Sequence, residues 1–113
     1  AGQKQVRLGV KNACALAHNF IEEGFDVIIL DVLTDETGRA YRESLKDFNP
    51  KIIMLLPTLE KVKERNSSRS YNLAEDRVIS LHQEQSEFKD FDERIDNSNI
   101  SPEETAEKIL RVV

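Results

Sequence analysis

The amino-acid sequence predicts an α/β fold in which helices alternate with strands that are buried on both faces. Residues 26–32 and 51–56 are apolar runs without polar alternation, which is typical of strands in a parallel sheet covered by helices. Amphipathic helical patterns, in which apolar residues recur at steps of three and four, precede and follow these runs. The order of elements therefore indicates an α/β alternation within one small domain of 113 residues.

The first helix occupies the N-terminal part of the chain and ends at Gly24. Glycine enters the left-handed conformation that closes a helix at little steric cost, so the chain turns directly into the first strand. Because Cys14 lies on the apolar side of this helix, we expect it to be buried as a small apolar residue. That side is formed by Val6, Val10, Ala13, Cys14, Ala17, Phe20 and Ile21.

A short helix over residues 39–48 follows the first strand. Tyr41, Leu45 and Phe48 share one face of this helix. The Asn-Pro pair at 49–50 ends it, because the residue before a proline is pushed toward extended geometry. The second buried strand begins directly after this proline.

Two further helices follow the second strand. Thr58 is a candidate N-cap for the first of them, which is interrupted by the polar stretch 65–72. The spacing from Asn72 to Glu75 then predicts a capping box at the start of the next helix.

A short extended piece over residues 94–97 precedes the last helix. This helix has the clearest N-terminal signal in the chain, with Ser101 as cap, Pro102 at the first helical position and Glu104 three residues after the cap. We expect one face of this helix to be apolar, formed by Ala106, Ile109 and Leu110.

Composition and charge exclude several classes of function. The 21 acidic residues outnumber the 16 Lys and Arg residues, which argues against a nucleic-acid or anionic-membrane surface. No apolar run approaches the roughly 20 residues that a bilayer span needs. The N-terminus lacks the pattern of a secretory signal, and a single cysteine permits no internal disulfide, so we expect a cytoplasmic protein. His18 and His82 have no ligand at a recurring metal spacing, so we expect no metal site.

Asp31 and the two residues Tyr41 and Arg42 are candidate substrate-binding groups. Asp31 stands at the carboxyl end of the first strand, where ligands gather in open α/β sheets. A carboxylate there holds magnesium through water or polarises a substrate hydroxyl, or it simply caps the following turn. Arg42 points away from the Leu45 face, toward either a substrate or solvent.

Arg65 and Arg69 are four residues apart and separated by small polar residues. Both guanidinium groups could thus point from a helix end toward phosphate oxygens. Ordinary surface ion pairs with Glu64, Glu75 or Asp76 are the alternative interpretation.

Four stretches, taken in order, resemble the small P-loop kinases of the chloramphenicol phosphotransferase, gluconate kinase and shikimate kinase group. These stretches are GFDVIILDV at 24–32, YRESL at 41–45, IIMLLPTLEKVKERNSSR at 52–69 and ERIDNSNISPEETAEKI at 93–109. The resemblance implies a three-layer parallel sheet and an ATP-dependent kinase that uses Mg²⁺ to phosphorylate a hydroxyl of a small molecule.

The resemblance also implies roles for individual residues. Arg65 and Arg69 correspond to a lid over ATP at about 65–72, and Asp31 to an acid near magnesium or the phosphoryl acceptor. We expect catalytic roles for these three residues and contact with the acceptor for Tyr41 and Arg42. The stretch near adenine comprises Asn97, Ser98, Asn99 and Pro102.

The chain departs from this group in one defining element. It has no G-x-x-x-x-G-K-[ST] segment, whose backbone N–H groups and lysine cradle the phosphates. We therefore expect residue 1 to correspond to a point some tens of residues into a complete kinase, and the 113 residues alone to be inactive. The family sheet has its first strand between those that match 26–32 and 51–57, so removing it leaves a slot. Either a preceding segment fills this slot, or the strands re-pair or self-associate through their unpaired edges.

Two classes of function thus remain open. The chain is either part of an ATP-dependent small-molecule kinase, or a non-catalytic α/β fragment or interaction module that shares only ancestry and fold with such kinases. A flavodoxin-like or other α/β regulator is a third alternative, for which the sequence shows neither a phosphate loop nor an acidic pocket.

Overall fold

A computed structural model describes residues 2–113 of the chain. Contacts divide the chain into two compact units, Ala1–Pro50 and Lys51–Val113. The first unit is helical and the second combines helices with a small parallel sheet. The organisation as one kinase-like domain remains a prediction.

The first unit is built on helix α1, Gln3–Glu22, and helix α2, Asp35–Ser44. Gly24 ends the first of these elements with a positive φ of 90°, as the sequence predicted. Thr34 and Thr37 form a capping box that begins α2, and a short 3-10 helix, Lys46–Phe48, follows it. The core between the two helices is formed by Val10, Cys14, Ala17, Tyr41 and Leu45.

The prediction of a strand buried on both faces at 26–32 is wrong for the described residues. This segment makes no β-ladder, and the side chains of Ile28 and Leu30 are 82% and 91% exposed. Val27 and Ile29 pack against the core of the first unit, so only one side of the segment is covered. Apolar side chains of this segment alternate between a covered side and an outer side, as they do in a strand, and within residues 2–113 those of Ile28 and Leu30 on the outer side are exposed.

The second unit contains the sheet. Strand β1, Ile53–Leu55, pairs in parallel with strand β2, Glu93–Ile95, with Met54 opposite Arg94. Helices α3, Leu59–Ser67, and α4, Glu75–Ser86, connect the two strands, and helix α5, Pro102–Val112, follows β2. Strand β1 lies within the predicted strand at 51–56, whereas β2 overlaps the extended piece predicted at 94–97 but begins one residue earlier, at Glu93. In residues 2–113 the sheet has two strands, and the larger three-layer sheet remains a prediction.

Of the three N-caps that the sequence predicted, two are present and one is wrong. Thr58 accepts a hydrogen bond from the Lys61 backbone, and Ser101 forms the predicted capping box with Glu104. The capping box at Asn72 is wrong, because α4 begins at Glu75 after Ala74, which makes no side-chain cap. The Asn66 side chain explains the later start, since it accepts from the backbone N–H of Leu73 and donates to the Leu73 carbonyl. These bonds hold the preceding segment outside the helix.

The face that α5 buries also differs from the prediction. Thr105 is buried and Ile109 is half-buried, whereas Leu110 is 69% exposed. Thr105 satisfies its own hydroxyl by donating to the Ser101 carbonyl at 2.9 Å, which allows a polar residue to occupy the inner face.

Candidate functional site

The carboxyl ends of β1 and β2 bring two loops of the second unit together. Because the strands are parallel, residues 56–58 and 96–101 leave the sheet at the same edge. The Leu56 backbone N–H continues the ladder by donating to the Ile95 carbonyl at 3.1 Å. His82 of α4 fixes the first loop through a 2.8 Å hydrogen bond between its Nε2 and the Pro57 carbonyl.

Ser98 joins these two loops. Its buried hydroxyl accepts from the Thr58 backbone N–H at 2.8 Å and donates to the Asp96 carboxylate. The Ser98 backbone N–H also donates to Asp96 Oδ1, at 3.0 Å. The hydroxyl and then the backbone N–H of Ser98 hold the pKa of Asp96 below its ordinary value, with help from the positive charges of Arg94 and Arg65.

Arg65 closes one side of the loop that follows β2. Its guanidinium donates to the Asn97 carbonyl at 2.7 Å and, over a longer 3.4 Å, to the Ser98 carbonyl. Arg69 lies beyond the end of α3, is exposed, and its side chain makes no hydrogen bond or ion pair within the described chain. The helix ends between the two arginines, so they do not share the helical face that their spacing suggested.

A groove of roughly 430 Å³ lies beside this loop. Its floor and walls are mainly apolar, and its polar side-chain groups are the guanidinium of Arg65, the amide of Asn97 and the hydroxyl of Thr105. The lining residues are Leu55, Arg65, Asn97, Ile100, Pro102, Thr105, Ala106 and Ile109. The structure thus brings Arg65 together with two of the four residues that were expected near adenine, Asn97 and Pro102. Ser98 is buried within the loop and does not line the groove, and Asn99 is exposed.

Asn97 is the most informative residue of the groove. Its side-chain carbonyl oxygen is buried, yet no donor within residues 2–113 pairs with it. A buried acceptor without a partner costs about 1–3 kcal/mol. A ligand that brings an N–H or O–H group to this point would recover that energy.

The first unit holds a second polar pair, Asp31 and Tyr41. The buried Tyr41 hydroxyl donates to Asp31 Oδ2 at 2.7 Å, and the Val32 backbone N–H donates to Asp31 Oδ1 at 2.8 Å. Burial, and then the hydrogen bond and charge of Asp31, raise the pKa of Tyr41 well above its ordinary range. Two bonds thus orient an exposed carboxylate, and Tyr41 supports Asp31 as well as being a candidate substrate contact.

The structure also places Arg42, Cys14 and His18 of the first unit. Arg42 is half-buried in the last turn of α2. Cys14 is 5% exposed, which confirms its predicted burial, and that burial raises the pKa of its thiol although a hydrogen bond with Ser44 partly opposes the effect. His18 Nε2 is 3.0 Å from the Ser44 carbonyl oxygen, and its ring meets Phe48 edge to face. Residues 2–113 contain no group of three or more His, Cys, Asp or Glu side chains arranged to hold a metal ion.

The sequence interpretation missed Asp96 and His82 as parts of the site. Asp96 and Ser98 follow the Asp-x-Ser spacing of an Asx turn, which is a readable local signal. The role of His82 depends on a contact 25 residues away along the chain, for which the sequence carries no local signal.

Comparison with protein-family models, with curated proteins and with solved structures finds no match to this chain. Within the described part of the chain, no helix is both long enough and apolar enough to cross a membrane.

Proposed function

We propose that this chain is the base-binding part of an ATP-dependent phosphotransferase that acts on a hydroxyl group of a small molecule. The observation that carries the proposal is the groove beside β2, in which an apolar floor, the Arg65 guanidinium and the unpaired oxygen of Asn97 occur together. A planar, delocalised guanidinium stacks on aromatic rings, and an apolar slot of this kind suits a heteroaromatic base.

Asn97 favours adenine among the common bases in this proposal. The exocyclic amino group of adenine is a hydrogen-bond donor, and the side-chain carbonyl of Asn97 is an acceptor that lacks one. Guanine would present its carbonyl oxygen at the equivalent edge and leave the Asn97 oxygen without a partner.

Arg65 and Arg69 take different roles in the proposed enzyme. Arg65 is held by the carbonyl oxygens of Asn97 and Ser98, so it forms a wall of the base groove. Arg69 has no side-chain partner within residues 2–113 and lies in the exposed stretch that follows α3. We assign to Arg69 the contact with phosphate oxygens, and to residues 65–72 the role of a lid.

Asp31 is the proposed acceptor-side group. Its carboxylate is exposed, and the bonds from Tyr41 and Val32 leave further lone pairs available on both oxygens. It would accept the proton of the substrate hydroxyl as the new oxygen–phosphorus bond forms and the bond between the γ-phosphorus and the bridging oxygen breaks, with ADP as the leaving group. ATP supplies the phosphoryl group and Mg²⁺ neutralises its charge. Magnesium at phosphoryl-transfer sites keeps several waters and is held largely by the substrate phosphates, so Mg²⁺ would enter the proposed enzyme together with ATP.

The activity requires a phosphate-binding loop that residues 1–113 do not contain. The proposal therefore concerns this chain joined to such a loop, in the cytoplasm where ATP is abundant. The experiment is a steady-state phosphoryl-transfer assay beside thermal melting for wild type, Arg69→Ala and Asp31→Asn in that longer chain. We expect both variants to lose at least about tenfold in turnover with little change in melting temperature. Wild-type turnover in either variant would refute the role assigned to that residue.

A non-catalytic interaction module is the second candidate function. It is favoured by one observation, the row of exposed apolar side chains between α1 and α2, which a catalytic role for the second unit does not explain.

A further inference from the structure

The segment between α1 and α2 has the burial pattern of a β-strand with one covered face. Val27, Ile29 and Leu33 pack against the core of the first unit. Ile28, Leu30 and Val32 alternate with them, and their side chains are 82%, 91% and 70% exposed. We call these three residues the outer row. Contiguous exposed apolar side chains are a feature of interaction surfaces.

The backbone of the same segment has no strand partner. From Asp26 to Leu33 no backbone N–H or C=O group bonds to another backbone group within the described residues, and the Val32 N–H is satisfied by the adjacent Asp31 side chain. The segment therefore offers free ladder positions alongside an apolar row. This combination is the template that β-strand addition uses, since ladder bonds supply affinity and alternate side chains supply specificity.

The charge around the outer row indicates what kind of strand it accepts. Between Asn12 and Gly38 the sequence contains no lysine or arginine but six acidic residues. Two of these, Asp26 and Asp31, flank or interrupt the row itself. The six are Glu22, Glu23, Asp26, Asp31, Asp35 and Glu36. A second copy of the chain, which has a net charge of −5, would bring the same acidic surroundings into the contact, whereas a basic partner is attracted to them.

We propose that residues 27–33 bind an extended peptide that adds to them as a β-strand, with apolar side chains at alternate positions and lysine or arginine at its ends. The alternate apolar residues of the peptide cover Ile28, Leu30 and Val32. Its basic ends lie near the acidic residues on both sides of the row. This inference concerns the first unit of the 113-residue chain and uses no residue of the proposed nucleotide groove. In a longer chain, a preceding strand would compete with the peptide for the same ladder positions.

The test uses a fluorescent peptide of about nine residues, a typical strand length, with alternating valine and threonine and two lysines at each end. Its binding to the 113-residue chain is followed by fluorescence anisotropy, beside a peptide in which glutamate replaces every lysine. We expect the basic peptide to bind at least about tenfold more tightly, with an affinity that falls as salt increases. Methylation of alternate backbone nitrogens in the peptide should weaken binding by a similar factor, because it removes ladder donors.

Leu30→Ser and Leu16→Ser are the matched protein variants. Both leucines are exposed, at 91% and 59%, so neither change disturbs the core, but only Leu30 belongs to the outer row. Leu30→Ser should weaken the basic peptide about tenfold and Leu16→Ser should leave it unchanged. Equal binding of the two peptides, no binding of either, or equal effects of the two variants would overturn the proposal. A dimer in sedimentation that Leu30→Ser converts to monomer would overturn it in favour of a second copy as the occupant.

Discussion

Replacement of Arg65 by alanine should destabilise the second unit, whereas the same change at Arg69 should not. Arg65→Ala removes a 2.7 Å hydrogen bond from a charged donor to the Asn97 carbonyl, together with a longer contact to Ser98. Hydrogen bonds from charged groups contribute about 1.5–3 kcal/mol, and the partial exposure of Arg65 places the expected loss near 1.5 kcal/mol. Arg69 has no side-chain partner within residues 2–113, so its replacement should change the free energy of unfolding by less than about 0.5 kcal/mol.

The assay is urea denaturation at neutral pH, followed by circular dichroism. For a chain of this size the denaturant slope is about 2 kcal/mol per molar urea, so Arg65→Ala should lower the midpoint by about 0.7 M. Arg65→Lys should fall between wild type and Arg65→Ala, because an ammonium reaches a carbonyl but lacks the planar set of donors. An Arg65→Ala midpoint equal to that of wild type, or an equal loss in Arg69→Ala, would refute the assignment of Arg65 to the loop after β2.

Four further predictions concern the side chains of Tyr41, Ser98, Asp96 and Cys14. Because folding raises the pKa of Tyr41, the hydrogen bond of its hydroxyl stabilises the folded state fully below pH 10.0, the ordinary tyrosine pKa. This stabilisation is lost as the pH rises toward the folded-state pKa. Tyr41→Phe should abolish the tyrosine ionisation that occurs at the highest pH, as followed by ultraviolet absorbance. Ser98→Ala should cost about 1–3 kcal/mol in denaturation at neutral pH, since it leaves a backbone donor unpaired. Because folding lowers the pKa of Asp96, its carboxylate stabilises the folded state fully above pH 3.8, the ordinary aspartate pKa. This stabilisation is lost as the pH falls through the lowered pKa. Asp96→Asn should therefore make the free energy of unfolding depend less on pH in the acid range. Cys14 should react with a disulfide reagent at least about a hundredfold more slowly in the native chain than in urea, and equal rates would contradict its burial.

Local signals predicted the parts of the fold that depend on neighbours in the sequence. The stop at Gly24, the cap at Thr58 and the capping box at Ser101 each rest on contacts within a few residues, and all three are present. The start of α4 was wrong because Asn66, six residues before Asn72, engages the segment between them instead. A side chain that competes for the same backbone groups is invisible to a local cap pattern.

Non-local partners explain the larger differences. The apolar residues of 26–32 allow the segment to be buried on both faces. Whether another element covers the outer face depends on segments far away in the chain or outside it. The candidate site was predicted in part, since Arg65, Asn97 and Pro102 were each expected near a nucleotide and line one groove. The resemblance to small P-loop kinases was the basis of these expectations. The supporting hydrogen bonds of Ser98 with Thr58 and of His82 with Pro57 are long-range contacts that only the folded chain shows.

The most direct test of a nucleotide groove beside β2 is an NMR titration of the 113-residue chain with ADP, with guanosine diphosphate as the matched control. Without a phosphate loop the groove should bind ADP only weakly, with a Kd of about 1 mM or higher. The account predicts that ADP shifts the amide signals of residues 97–102 and the side-chain signals of Arg65 and Asn97. Guanosine diphosphate should produce smaller shifts at the same concentration, and Asn97→Ala should remove the difference between the two nucleotides. Equal shifts from both nucleotides in wild type, or ADP-dependent shifts confined to residues outside the groove, would contradict the account.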